Sequence, residues 1–446
     1  MASTLEDSEY TPPLIGTITV PSKVLRKSSG ISCDIGGSLA KFVYFSNEDQ
    51  KTGDDGKTTL NLVSFPKDRI DDGLSYINKC FTTRVTMGDW RDEKITTTGI
   101  GAYQYKKKLS EALKVETENI ENMVETDCFI KTLQLLGRTV PRAELMNDVD
   151  EEAQEQMKKL VEMMFKMMED LKASGQLKEG MEFPIDEQLV SDTQKGTGAS
   201  ADDLAVHYPC AVCMIGSGAA VLKLEEDGTY SMVDMTNLAG KTFLGLGSLL
   251  TGAKTFEELI SLAENGSSEN VDIMTSDLRS EETDSDIYSA FTHSMDVLLY
   301  SFGKSTNKDL GDFKKEDIAR CLLANMCQIL TQTAQSGAAG NGLKHIYFCG
   351  SFIGHELVIR EMSKAISHRA MLNPQVNLKL DYGFVKHGGY LGAIGALLFA
   401  QEDKYSKIQS LSAGDGNKEA SQKTHLELNN NERMKPKKYA YDPTTI

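Results

Sequence analysis

Three short apolar segments of the chain end at glycine turns. Two of them are followed by a second apolar segment directly after the turn. Apolar runs of about four to eight residues bounded by glycine are typical of buried strands. The pattern therefore predicts two strand–turn–strand hairpins and one further buried strand. They comprise 31–34 and 42–45 around Gly36-Gly37, 209–215 and 219–224 around Gly216-Ser217-Gly218, and 345–349 before Gly350.

Four other segments carry the pattern of a helix. In 147–173 the apolar residues recur at intervals of 3, 1, 3, 4 and 3, and Asn147 or Asp148 is suited to cap the first turn. Thr255 and Glu258 form a capping-box pattern at the start of a second helix. The remaining two helices are predicted over 315–335 and over the small-residue stretch 392–400.

The helix predicted over 147–173 is rich in methionine, since five of the 19 methionines lie between 157 and 168. We interpret its apolar face as packed on its own domain, with a groove for a partner protein as the alternative, because methionine suits both. From 174 to 205 the chain is rich in Gly, Ser, Asp and Lys. We therefore predict that 140–205 is an insertion that leaves and rejoins a core.

Changes in composition divide the chain into five parts. The first 28 residues are polar, contain three prolines and show no sustained period, which is typical of a mobile arm. After 401 the sequence becomes polar and rich in Lys and Asn. The predicted parts are the arm 1–28, a first lobe 29–139, the Met-rich helical insertion 140–205, a second lobe 206–401 and a C-terminal tail 402–446.

The composition is that of a globular protein: 40% of the 446 residues are apolar and 25% are charged, which excludes fibrous and wholly disordered classes. The net charge of −17 disfavours nucleic acid as a partner. A phosphorylated small molecule stays compatible, because backbone amides bind phosphate without a net basic charge. The sequence shows neither a signal-peptide pattern nor an apolar run long enough for a membrane span, so we expect a cytoplasmic protein.

The eight cysteines lie mostly in apolar stretches that are predicted as strands or helices, which favours reduced, buried thiols. Cys210 and Cys213 form a lone CxxC pattern within a predicted strand, and no second pair of ligands follows. We therefore prefer buried thiols at this point over a metal or redox site.

Each glycine turn combines glycine, which lets backbone amides approach a phosphate, with a hydroxyl that adds a donor. A plain hairpin turn is the alternative for the second of them. In order, and with separations of about 180 and 135 residues, the turns resemble the phosphate-1, phosphate-2 and adenosine turns of the actin, sugar-kinase and heat-shock ATPase superfamily. The resemblance implies an α/β fold of two RNase H-like lobes with nucleotide in the cleft between them. The turns are Gly36-Gly37-Ser38, Gly216-Ser217-Gly218 and Gly350-Ser351.

Asp34 lies two residues before the first glycine pair, at the end of a predicted strand. In the superfamily an Asp at this point typically holds Mg²⁺ through water, which suits a cation that keeps its hydration shell. The alternative is an exposed carboxylate that caps its own turn. The resemblance therefore implies ATP and Mg²⁺ as cofactors, with Asp34 at the metal.

Longer segments resemble one family, the eukaryotic-type pantothenate kinases, over about 30–138 and 205–400. GISCDIGGSLAKFVYF is similar to the family's first phosphate hairpin, TTTGIGAYQY to its A-T-G-G-G-A-Y segment and ETDCFIKTLQLL to its E-L-D-C helix. CMIGSGAAVL, KTFLGLGSLLTGAKTFEEL, IYFCGSFIGH and GGYLGAIGALL follow in the family's order. The resemblance implies ATP-dependent phosphorylation of the primary hydroxyl of pantothenate, the first step toward coenzyme A.

The resemblance also implies roles for single residues. Glu125 matches the family's catalytic glutamate, which would accept the proton of the substrate hydroxyl. Lys41 matches a lysine that would contact the β- or γ-phosphate, and Ser217 matches a serine near the pantothenate hydroxyl and phosphate. Gly240 and Thr242 match positions in and after the family's glycine run before T-F.

The residues themselves restrict the assignment of the base. Glu125 and Asp127 both lie near a predicted helix start, and a two-residue step turns about 200° around a helix axis, so only one of them can face a cleft. For Glu125 the alternative is a first-turn carboxylate favoured by the helix dipole. For Lys41 the alternative is an exposed lysine on a strand.

The sequence departs from the family where the acyl substrate would bind. The family's pantothenate-holding arginine falls on Met232, which cannot form a charge-assisted pair with a carboxylate, and a second hydroxyl falls on Ala220. Residues 283–303 lack the G-L-P-G-W loop that closes over pantothenate from the neighbouring subunit. Ala239 and Lys241 replace two glycines of the run before T-F.

We therefore predict a pantothenate kinase that uses Mg·ATP and Glu125. Two alternatives stay open: a paralogue that binds nucleotide or acyl-CoA as a regulatory or partner subunit, and a kinase for a pantetheine-like substrate without the carboxylate. The resemblance implies pantothenate as substrate, acyl-CoA as a feedback ligand, and a homodimer or a heterodimer with a paralogue.

Overall fold

The computed structural model describes residues 16–22, 25, 30–45, 56–82, 94–174, 205–278 and 298–399. By its internal contacts the chain divides into two units, 1–398 and 399–446. The elements below belong to the first unit, apart from the last residue of the final helix. None of the described helices is long and apolar enough to cross a membrane.

The first sheet has six strands in the spatial order β1-β4-β3-β2-β5-β6. Strands β2, β3 and β4 are antiparallel neighbours, whereas β5 and β6 continue the sheet in parallel to β2. The strands are β1 Gly16–Pro21, β2 Ile31–Ile35, β3 Leu39–Tyr44, β4 Lys57–Pro66, β5 Ile95–Thr98 and β6 Ile120–Asn122.

The second sheet has the order β10-β9-β8-β13-β14-β7. Here β8, β9 and β10 are antiparallel, and β13 and β14 continue in parallel to β8. The strands of this sheet are β7 Met146–Asn147, β8 Cys210–Ile215, β9 Ala219–Leu224, β10 Tyr230–Thr236, β13 His345–Cys349 and β14 Asp381–Val385. A separate pair is formed by β11 Ile273–Met274 and β12 Leu298–Tyr300.

The two sheets share one topology. In the first sheet, β2 has the antiparallel strands β3 and β4 on one side and the parallel strands β5 and β6 on the other. In the second sheet, β8 has β9 and β10 on one side and β13 and β14 on the other, in the same orientations. This is the RNase H-like arrangement. The chain therefore has the two-lobed fold of the actin-like ATPases, as the order of the glycine turns predicts. Both predicted hairpins and the buried strand before Gly350 are present.

Helices cover the sheets. In the first lobe, α1 and α2 pack on the apolar face of the sheet, and in the second lobe α7, α8 and α9 do so. The helices are α1 Ile70–Thr82, α2 Ile100–Leu113, α3 Glu125–Thr139, α4 Arg142–Leu145, α5 Glu151–Ala173, α6 Gly240–Thr251, α7 Phe256–Glu264, α8 Lys315–Gly340, α9 Glu356–Leu372, α10 Pro374–Asn377 and α11 Leu391–Phe399. Helix α7 has the predicted capping box of Thr255 and Glu258.

Helix α11 packs on the first sheet, although we expected 392–400 to belong to the second lobe. The Ser32 hydroxyl donates to the Ala393 carbonyl oxygen at 2.5 Å, and the Thr96 hydroxyl donates to the Ala396 carbonyl oxygen at 2.6 Å. A Cβ atom at Gly395 would overlap the backbone carbonyl of a residue in α3. The small residues of α11 therefore serve its close packing between the first sheet and α3.

Two other boundaries differ from the sequence prediction. Residues 16–21 of the predicted arm form β1, which pairs with β4 over its full length. Within the predicted insertion, β7 pairs with β14 and α5 packs on α9, so this segment extends the second lobe. Helix α5 begins at Glu151 with Asp150 as its cap. Asn147 and Asp148 do not cap it, because Asn147 is already paired with β14.

Packing decides the interpretation of the Met-rich helix and of the cysteines. In α5, Leu160, Val161 and Met168 are buried, which supports core packing over an open partner groove. All eight cysteines are free, and seven of them are buried. Cys210 and Cys213 both lie in β8 at full burial, where desolvation raises the pKa of each thiol to about 12.

Candidate active site

The β2–β3 hairpin places Lys41 directly opposite Asp34. Lys41 Nζ donates to Asp34 Oδ2 at 2.9 Å, and Asp34 is only 2% exposed. The Oδ1 atom of Asp34 is buried and has no hydrogen-bond partner among the described residues. Asp34 is therefore no exposed strand-end carboxylate, and Lys41 is its counterion in this structure.

The first and second glycine turns meet, although they belong to different lobes. A Cβ atom placed on Gly37 would lie 3.3 Å from Ser217 Oγ. Gly37 and Ser217 are both exposed. In the first turn the Gly36 amide donates to the Leu39 carbonyl at 2.9 Å. Two exposed glycine turns that meet in this way are suited to bind a chain of phosphates.

The N-terminus of α6 is attached to the second turn. The Gly240 amide donates to the Gly216 carbonyl oxygen at 3.0 Å, and the Lys241 amide donates to the Ser217 carbonyl oxygen at 3.1 Å. A Cβ atom on Gly240 would come within 2.6 Å of the Gly216 carbonyl oxygen, so glycine is needed here. The Thr242 hydroxyl donates to a carbonyl oxygen of the preceding loop at 3.2 Å.

The third turn is packed behind the second. Gly350 has φ = 112°, and a Cβ atom there would overlap the Ile215 carbonyl, directly before Gly216. Gly389 packs closely on Ser351, because a Cβ atom on this glycine would lie 3.0 Å from Ser351 Oγ. The structure therefore brings the three predicted turns into one region.

Glu125 is the first residue of α3 and lies close to Asp34. Gly392 at the start of α11 separates them, since a Cβ atom on this glycine would lie 3.7 Å both from Asp34 Oδ2 and from Glu125 Cγ. Partial desolvation raises the pKa of Glu125, the negative charge of Asp34 raises it further, and the positive charge of Lys41 lowers it. Glu125 is exposed to solvent, so a ligand can reach it.

Asp127 faces a different partner, in agreement with the helical step that separates it from Glu125. Its Oδ1 accepts a hydrogen bond of 2.6 Å from the hydroxyl of Tyr230 in β10. Met232 follows on the same strand opposite Leu222, and 60% of its surface is exposed. The segment 283–303 was compared with the family's substrate loop. Most of it is not described by the structure, because residues 279–297 lie outside the described residues.

Sequence reasoning missed three residues of this region. Gly99, with φ = 86°, lets the start of α2 approach Asp34, because a Cβ atom would lie 2.5 Å from Asp34 Oδ1. Gly392 of α11 lies beside Asp34 and Glu125, and the Tyr230 hydroxyl donates to Asp127. The glycine after the threonine run 96–98 and the glycines of GGYLGAIG were visible signals, whereas nothing in the sequence pairs Tyr230 with Asp127.

Residues 30–399 match the sequence profile of the family described as Fumble. Pantothenate kinase 1 of Arabidopsis thaliana is 30% identical over 395 residues, which cover 85% of this chain and 88% of that protein. Pantothenate kinase 2 of the same plant is 27% identical, over 86% of this chain and 40% of that protein. The 4'-phosphopantetheine phosphatase of Mus musculus is 25% identical, over 90% of this chain and 45% of that protein. The chain thus spans most of the first relative and less than half of the other two.

Proposed function

Because the chain belongs to the Fumble family, we propose that it is a pantothenate kinase, which transfers the γ-phosphoryl group of ATP to the primary hydroxyl of pantothenate. The observation that carries the proposal is the position of Glu125 beside Asp34, in a region where two glycine turns of different lobes meet. The relative named pantothenate kinase 1 matches over 88% of its length, whereas the relative named a phosphatase shares 45% of its own.

Glu125 acts as the general base. A carboxylate with a raised pKa is a better proton acceptor than an ordinary glutamate. It accepts the proton of the pantothenate hydroxyl while that oxygen attacks the γ-phosphorus. The amides of Gly37 and Gly218 and the hydroxyls of Ser38 and Ser217 hold the phosphates in line.

Asp34 fits a magnesium ion. Its buried Oδ1 has no partner among the described residues, and Mg²⁺ is bound in proteins through one or two carboxylates together with water and phosphate oxygens. Bound with ATP, the ion supplies charge neutralisation at the phosphates. Lys41 Nζ lies 2.9 Å from Asp34 Oδ2 in this structure. Its ammonium group supplies a second positive charge, beside that of the ion, to attract the phosphates.

Four further residues belong to the nucleotide-binding part of the site. Gly240 and Thr242 fix the second turn, and Gly350 and Ser351 form the adenosine turn. We place the protein in the cytoplasm, with pantothenate as substrate and acyl-CoA as feedback ligand. The proposed assembly is the family's dimer.

The test is turnover of the purified chain with Mg·ATP, followed by detection of phosphorylated product. Pantothenate, pantetheine and a sample without acceptor are compared at one ATP concentration. Pantothenate-dependent formation of ADP and phosphopantothenate supports the proposal. ATP binding without turnover of either acceptor would favour a regulatory paralogue, and turnover of pantetheine alone would favour the second alternative.

The pH dependence of kcat reports on Glu125. Since the base must be deprotonated, we expect kcat to fall on acidification at a higher pH than the ordinary glutamate pKa of about 4.3 would give. Lys41→Met removes a charge that lowers this pKa, so its acid limb should move to higher pH, whereas Lys41→Arg should keep it in place. Measurement of kcat at saturating substrate over the acid range decides this, and equal limbs in all three proteins would contradict the assignment of Glu125.

Met232 is the position at which a gain of function is expected. If the family's arginine position contacts the pantothenate carboxylate here too, Met232→Arg adds a charge-assisted hydrogen bond of about 1.5–3 kcal/mol. We expect KM for pantothenate to fall by about ten- to a hundredfold, with KM for pantetheine, which has no carboxylate, unchanged. Steady-state kinetics with both substrates measures this, and Met232→Gln serves as a polar control without the charge. Efficient use of pantothenate by the wild type would show that another residue replaces the arginine.

A further inference from the structure

Helix α3 of the first lobe is hydrogen-bonded to the β9–β10 hairpin of the second lobe at several points along its length. The Tyr230 hydroxyl donates to Asp127 Oδ1 at 2.6 Å. Two and three turns further along the helix, Gln134 Nε2 and Arg138 Nη2 donate to the Glu226 carbonyl oxygen at 3.1 and 3.0 Å. The hairpin therefore contacts α3 both in its first turn and in its C-terminal half.

The tip of this hairpin is itself held in shape. The amide and the hydroxyl of Thr229 donate to Asp227 Oδ1 at 2.9 and 2.7 Å, and the Glu225 amide donates to the Thr229 carbonyl at 2.9 Å. Gly228, with φ = 92°, fits closely to α3, because a Cβ atom there would lie 2.8 Å from Gln134 Oε1. A turn that is closed by its own hydrogen bonds and packed on a helix holds the helix in position better than a free loop does.

The other end of the same hairpin is the second glycine turn. Strand β9 begins at Ala219, directly after Gly218, and runs to the tip that contacts α3. At about 3.3 Å per residue the strand connects the turn to the helix over roughly 20 Å. One element thus determines how far the phosphate turn stands from the helix that begins with Glu125.

The first turn of α3 is hydrogen-bonded to the second lobe but has no capping side chain. Val124, at the cap position of the helix, makes no side-chain capping hydrogen bond. Asp127, two residues after Glu125, instead accepts the bond from Tyr230. Donation to the carboxylate raises the pKa of Tyr230 to about 12, so its hydroxyl keeps its proton at neutral pH.

We propose that Tyr230 is a positioning residue for Glu125: through Asp127 it fixes the first turn of α3, and with it the general base, at the distance from the phosphate turn that proton transfer requires. This inference rests on the proposed kinase function. Small displacements of a reacting group cost much rate, because proton transfer needs the acceptor within hydrogen-bonding distance.

The test is Tyr230→Phe, which removes one hydroxyl and keeps the ring. We expect kcat with pantothenate to fall about tenfold while KM for ATP stays within about twofold, since the phosphate turns are untouched. In a Glu125→Gln background the same change should lower kcat no further, because Tyr230 acts through the base. Tyr300→Phe, at a tyrosine that is 62% exposed on β12, is the matched control and should leave kcat unchanged.

Two variants of the acceptor sharpen the result. Asp127→Asn keeps an oxygen that accepts from Tyr230 and should retain most of the activity, whereas Asp127→Ala should reproduce the loss of Tyr230→Phe. A kcat of Tyr230→Phe within twofold of the wild type would overturn the proposal. So would a further fall in the Glu125→Gln background, since a merely structural contact would lower both backgrounds alike.

A substrate-free measurement separates this inference from the proposed function. Amide hydrogen exchange at 128–131, where the amides make the first hydrogen bonds of α3, should be faster in Tyr230→Phe than in the wild type, because the first turn of α3 loses its anchor. Wild-type protein without pantothenate kinase activity would overturn the proposed function, and the exchange rates would then decide whether Tyr230 fixes α3. Equal exchange in both proteins would overturn the positioning role itself.

Discussion

Glu125→Gln should lower kcat with pantothenate by about 10² to 10⁴, while the affinity for Mg·ATP stays within about twofold. Glutamine has the shape of glutamate but accepts no proton at neutral pH, so the substrate hydroxyl would have to attack without a base. ATP affinity should survive because Glu125 begins α3, outside the three glycine turns. Single-turnover kinetics for the chemical step and calorimetry for nucleotide binding measure the two quantities separately.

Glu144→Gln is the control for this experiment. Glu144 is an exposed carboxylate on α4, so the same change of charge there should leave kcat and affinity unchanged. A kcat of Glu125→Gln within twofold of the wild type would assign Glu125 to its alternative, a first-turn carboxylate that the helix dipole favours. The assignment of the phosphate turns would stand in that case.

The second large effect is expected at Gly37. Gly37→Val should weaken Mg·ATP binding at least tenfold, about 1.4 kcal/mol, because its side chain would lie against the second glycine turn, where the phosphates are proposed to bind. The Cβ atom alone would already lie 3.3 Å from Ser217 Oγ. Isothermal titration calorimetry of the folded variant gives the affinity.

Gly311→Val provides the matched comparison. A Cβ atom at this exposed glycine would meet nothing within 4 Å, so valine should be accommodated there with unchanged ATP affinity. If a folded Gly37→Val protein bound Mg·ATP as tightly as the wild type, the phosphates would have to lie elsewhere than between the two turns.

The phosphate side of the site follows from the sequence because its signals are local. A glycine turn after an apolar strand needs only neighbouring residues to be recognised, and all three turns are present. The ion pair of Asp34 and Lys41 could also be derived: with Ile35 opposite Ala40, the next pair outward in the hairpin is Asp34 and Lys41. Because Asp34 and Lys41 were considered separately, their mutual neutralisation was not predicted.

Contacts between distant segments were not predictable in this way. Tyr230 and Asp127 are 103 positions apart, and neither belongs to a pattern that points to the other. The start of α5 shows the same limit at short range. Asn147 has a side chain suited to cap a helix, but its backbone pairs with β14, so Asp150 is the cap and the helix starts at Glu151. Tertiary pairing overrides a local propensity here.

Helix α11 affects the order in which the protein can be completed during synthesis. Ser32 and its hydrogen-bond partner Ala393 are 361 residues apart, and Gly392 borders both carboxylates of the site. An emerging chain can form the first sheet early, but the face that carries Asp34 stays uncovered until the last described helix has been translated. The nucleotide cleft is therefore finished last, and a nascent polypeptide that ends before α11 lacks part of the first lobe rather than the end of the second.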